Sequence, residues 1–171
     1  MIILLSLPSS AFFSGMEIAF VSSNRLNLEI EKKQKGIIPN LLSIITRDPS
    51  RFISTMLIGN SFALVIYGLF MGQFIVENLS FLFLPSMNEL TILLLQTILS
   101  TSLILIAAEF IPKVLFQIYS NLSMKIFSIP AFIFYVILYP ITSLVTITSN
   151  FILQTFFKVT NQNSEFSFSK V

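Results

Sequence analysis

The chain has 171 residues, 54% of them hydrophobic and 11% charged, with a formal net charge of +2 and a mean hydropathy of +0.87. A soluble domain carries about 25% charged residues, so this composition describes a protein that crosses a bilayer several times. Cysteine and histidine are absent, which excludes disulfides, thiolate or imidazole metal ligands and His- or Cys-based catalysis. A charge this small gives no basis for nucleic-acid binding, and no glycine-rich phosphate loop is present.

The first apolar run covers about 1–23 and contains one acid, Glu17, and no base. It lacks the basic start of a signal peptide, and its hydrophobicity resumes after Pro8, so it predicts a first transmembrane helix. Residues 25–51 then gather Arg25, Lys32, Lys33, Lys35, Arg47 and Arg51 among apolar residues. Gly36 and Pro39 mark a turn, giving an amphipathic helical hairpin (juxtamembrane helices over about 25–47) laid against the membrane with its bases at the headgroups. Asp48-Pro49 begins the next turn.

A second span is expected over about 52–76, with Gly59-Asn60-Ser61 near its middle, and a third over about 91–118. Between them lies a loop, 77–89, without a base. The stretch 122–157 is apolar but broken by Lys125, Pro130 and Pro140, which favours juxtamembrane helices at the interface over a fourth span or a re-entrant pair. Residues 159–171 read as a polar tail or linker. The expected fold class is an all-α membrane protein with three transmembrane helices, a cytosolic amphipathic hairpin and juxtamembrane interfacial helices.

All ten Lys and Arg lie in 25–51 or from Lys113 onward. The positive-inside rule therefore places the amino terminus and the 77–89 loop outside, with the hairpin and the carboxyl terminus in the cytosol.

Each span carries oxygen where lipid would exclude it. Ser10, Ser14 and Glu17 form one stripe on the first helix. Asn60 offers an amide on the second, where a loosened turn at Gly59 would expose carbonyls. The third holds Glu109, Pro112 and Lys113. An intramembrane carboxylate costs at least about 2.5–3.5 kcal/mol and by default marks a functional site. Pro112 cannot donate to the Ala108 carbonyl, which is left free beside the acid. Glu109 and Lys113, four apart, share a helical face on which they can pair. Two readings stand. Either the three helices converge on an oxygen-lined cage for a hard cation such as Mg²⁺, or these groups form a structural polar core with a self-neutralised proline kink. No Ser–Lys dyad or Asp pair points to a hydrolase, so the chain is expected not to be an enzyme.

Ser14-Gly15-Met16-Glu17-Ile18-Ala19, Asp48-Pro49-Ser50-Arg51, Leu57-Ile58-Gly59-Asn60 and Glu109-Phe110-Ile111-Pro112-Lys113 occur in that order. Each motif is weak alone, but the ordered set resembles the transmembrane domain of the CorC/cyclin-M (CNNM) magnesium transporters, whose bacterial members are often labelled haemolysin-like. The likeness covers about 10–140. It departs at Ser61, where family members usually have a second Asn, and in the small residues around Ser14. The resemblance implies a homodimer in the bacterial inner membrane that exports Mg²⁺ in exchange for Na⁺. It also implies a metal site at Ser10, Ser14, Gly59, Asn60 and Glu109, with the Pro112 break shaping the Glu109 turn; Glu17 and Lys113 are expected to support it. Cytosolic CBS-pair domains follow in full-length members and are not in these residues. A metal sensor or accessory scaffold of the same family is the alternative.

Overall fold

The computed structural model describes residues 1–78 and 88–157, with the side chains of 76 and 150–157 left aside. The expected 159–171 tail and most of the 77–89 loop fall outside the described residues. No strand occurs among those described. The helices are α1 (Ile2–Ser22), α2 (Arg25–Lys32), α3 (Ile37–Ile45), α4 (Pro49–Asn78), α5 (Glu89–Ile104), a π-helical segment (Leu105–Phe110), α6 (Ile111–Ile118), α7 (Ser120–Ile126), α8 (Ser128–Ile137) and α9 (Tyr139–Phe157).

Among the described residues three stretches are long and apolar enough to cross a membrane: Ile2–Ser22, Pro49–Ile75 and Glu89–Ile118. A fourth would require α7 and α8, bent by 66°, to count as one. The bend and the next break follow from proline sterics. Pro130 is the third residue of α8 and Pro140 the second of α9. Each ring would crowd the carbonyl four residues back, so the preceding helix ends at Ile126 and Ile137. Pro8 is the exception, held inside α1.

The hairpin starts and stops on local chemistry. Asn24 caps α2, its side-chain oxygen accepting from the amides of Leu26 at 2.9 Å and Asn27 at 3.4 Å. Gly36 takes φ +150° at the turn into α3, a conformation open to glycine. Pro39 lies in the first turn of α3, where its missing donor costs little. Asp48 Oδ1 accepts from the Arg51 amide at 3.1 Å, and Pro49 opens the helix. The second span therefore begins three residues earlier than hydropathy alone places it.

Packing divides into two apolar clusters. One joins Phe13, Met16, Phe52 and Met56 with Leu28, Leu42 and Ile45 of the hairpin and Met124, Ala131 and Tyr135 of α7–α8. The other joins Tyr67, Met71, Ile75, Ile104 and Ala108, with Ile3, Leu7 and Leu64 against them. The α1 helix is the hub, packed on α4, the π segment, α6 and α7. At the far end α4 and α5 are tied by the Tyr67 hydroxyl, which donates to the Ser100 carbonyl at 3.1 Å. At the hairpin end α4 is fastened to α9 by the buried Thr55 and Thr142 hydroxyls, 3.3 Å apart, and by Arg51, 4.9 Å above the Tyr139 ring.

Candidate functional site

Ser10, Gly59–Asn60 and Glu109–Lys113 fall in the seam between these clusters; Ser14 and Glu17 lie beside it, on the stretch of α1 that carries Phe13, Met16 and Ala19 of the first cluster. On α1, Ile3 and Leu7 belong to the far cluster and Phe13 and Met16 to the hairpin-side one; Ser10 lies between. On α4, Phe52 and Met56 lead to Leu64 and Tyr67, with Gly59 and Asn60 between. On the third span Ile104 and Ala108 join the far cluster and Phe116 packs on the other. Glu109, Pro112 and Lys113 occupy the interval.

Within the seam the Ser10 hydroxyl donates to Asn60 Oδ1 at 2.6 Å, and Ser10 is fully buried. One turn along the same stripe Ser14 is also fully buried, and its Oγ has no hydrogen-bond partner. An orphaned buried hydroxyl is a ready donor of oxygen to a cation and is costly if left alone.

Gly59 does not loosen α4, which runs as a helix through it. The expected exposed turn is replaced by a close contact. A Cβ at Gly59 would strike the Phe13 ring of α1, so the missing side chain is what lets the helices approach. A second approach lies further along α1, where a Cβ at Gly15 would come within 2.7 Å of the Phe116 ring. These contacts set the separations of α1 from α4 and from α6, and their aromatic partners had no signal in the sequence.

The third span departs from a simple kink. The residues before Pro112 form a π-helical segment, and the Ile111 amide bonds the Ile106 carbonyl, five residues back. Pro112, buried, follows at the second position of α6. Widening the turn admits the ring without breaking the span, and such single π turns recur at functional sites. Glu109 and Lys113, both half-buried, form neither an ion pair nor a hydrogen bond with each other among the described residues, against the i, i+4 pairing that an α-helix allows. Glu17 of α1, also half-buried, lies within electrostatic reach of both Lys113 and Glu109. No three acidic side chains meet among the described residues, so a cation here would depend on hydroxyl, amide and carbonyl oxygens around one or two carboxylates.

The fold and site define an integral membrane protein whose three spanning helices share a polar layer at a π-helical break. The chain matches the family model described as Cyclin M transmembrane N-terminal domain over residues 1–170 and belongs to that family, which is associated with Mg²⁺ transport. Among curated proteins none matches it.

Proposed function

We propose that the chain carries Mg²⁺ across the bacterial inner membrane through the polar seam. Ser10, Ser14, Asn60, the Gly59 backbone and Glu109 supply oxygen, with Glu17, Pro112 and Lys113 in support. The observation that carries this reading is the coincidence of depth: three helices bring Ser10, Asn60 and Glu109 into one interval beside a π turn, and one turn further along α1 the Ser14 Oγ is buried without a partner.

Mg²⁺ demands near-octahedral oxygen at about 2.0–2.1 Å and dehydrates reluctantly. A preorganised layer suits it, because Ser10, Asn60 and Gly59 are held by packing before any ion arrives. One carboxylate and several neutral oxygens bind loosely enough for release, as conduction requires. The direction is export coupled to Na⁺ entry, as the family likeness implies, with the amino terminus outside and the hairpin and carboxyl terminus cytosolic. The working unit is a homodimer, for which the exposed apolar faces of α4 and α5 offer surface, and cytosolic CBS-pair domains attach beyond α9. The protein is a carrier, not an enzyme.

A non-transporting sensor or scaffold is the second reading. It is favoured by the Ser10–Asn60 bond, which already joins two of the proposed ligand positions to each other. Glu109→Gln separates the two. It keeps shape and one acceptor while removing the only carboxylate at the π turn. Mg²⁺-dependent thermal stabilisation of the purified protein, compared with Ca²⁺, Mn²⁺ and Na⁺, and Mg²⁺ flux in vesicles should both be lost while the fold persists. A folded Glu109→Gln protein that moves Mg²⁺ at the parent rate refutes the assignment; a parent that binds Mg²⁺ without flux supports the sensor.

A further inference from the structure

Lys113 is the only base of the third span, and α1 has none. Arg51, at the start of α4, is engaged elsewhere, with Asp48 at 3.5 Å and the Tyr139 ring. Among the described residues, Lys113 is therefore the one lysine at the seam, within electrostatic reach of Glu17, which lies just beyond the seam on α1, and beside Glu109 on the same span, yet closed into an ion pair with neither. Two acids and one base sum to −1. A divalent ion brings that to +1, a state biased toward release; without the lysine the occupied seam would be neutral and the ion held.

We propose that Lys113 is a tethered cation: its ammonium occupies the field of Glu17 and Glu109 when the seam is empty and opposes the divalent ion when it is filled. This rests on the reading that Glu109 belongs to the cation site. Lysine suits the role, since its compact charge rides on a flexible four-carbon stem and can shift between carboxylates without rebuilding the site. Glu109 sits in the π segment and Lys113 in α6, and the two are not locked together on their own span. Lys113 is thus a positioning residue that sets affinity and release rate, and it need not touch the ion.

The test is Mg²⁺ titration of the purified chain, read as thermal stabilisation, in the parent, Lys113→Met, Lys113→Gln and Lys113→Arg. Removing a unit charge at this range should tighten apparent Mg²⁺ binding at least about tenfold in the Met and Gln variants. Their ion-free melting temperatures should fall, and saturating Mg²⁺ should restore them, since the ion takes over the work of the ammonium. Lys113→Arg should bind within about threefold of the parent, its charge being kept. In vesicles the neutral variants should turn over more slowly at saturating Mg²⁺, because release slows. Weaker or unchanged binding in the neutral variants overturns the proposal. So does failure of both to fold even in Mg²⁺, which would mean a structural role that the ion cannot replace. A parent with no Mg²⁺ response defeats the site itself and is distinguishable from either result.

Discussion

The Ser10 hydroxyl donates to Asn60 Oδ1 at 2.6 Å, joining the first and second spans across 50 residues of sequence at the seam between two apolar clusters. The bond holds the Asn60 oxygen in place, and that oxygen keeps a lone pair for another partner. Ser10→Ala should lower ion-free stability by about 0.6 kcal/mol and by no more than about 1.7 kcal/mol, the range for hydrogen bonds between membrane helices. Mg²⁺-dependent stabilisation should fall further, because one ligand is lost and another set free. Equal losses with and without Mg²⁺ would make the bond purely structural. The comparison is two melting curves per variant.

The Phe13 ring seated on Gly59 predicts a steric cost with a specific remedy. Gly59→Ala should destabilise the fold by about 1–3 kcal/mol, as overpacking does. Phe13→Leu in the same chain should recover much of that loss by vacating the space. Denaturation of the single and double variants measures the coupling, and additive effects would contradict the contact.

Pro112 predicts a separation of stability from binding. Pro112→Ala returns a backbone donor and removes the ring from the ladder, so the wider turn before it can tighten to an α-helix. Ion-free stability should hold or rise while Mg²⁺ stabilisation declines. Unchanged Mg²⁺ binding in a stable Pro112→Ala protein would show that the π turn does not shape the site.

The segregation of all ten bases predicts sidedness, and a chain free of native cysteine makes it easy to read. A single cysteine at Asn88 should react with an impermeant thiol reagent added outside intact cells, and one at Gln34 should not. The opposite labelling pattern would reverse the orientation and, with it, the export direction.

Much of the architecture was legible in the chain because it rests on local chemistry. Three apolar runs of spanning length correspond to α1, α4 and the α5–α6 span. Asn24, Gly36 and Asp48-Pro49 punctuate the hairpin, and Pro130 and Pro140 break the 122–157 stretch, for steric reasons confined to a few neighbouring residues. The candidate residues Ser10, Asn60 and Glu109 stood out for the same reason, as oxygen out of place in apolar sequence. Family membership was legible too, from the order of four short motifs.

What stayed hidden depends on partners far along the chain. Nothing near Gly59 names Phe13, and nothing near Gly15 names Phe116, because helix contacts form between residues brought together by packing. Glu109 and Lys113, four apart, suggest an ion pair while the helix is taken as regular, whereas in the structure a π segment precedes Pro112 and the two are unjoined. α1 packs on both the π segment and α6, and where the acid and the lysine of the third span lie relative to Glu17 depends on that packing between helices distant in sequence.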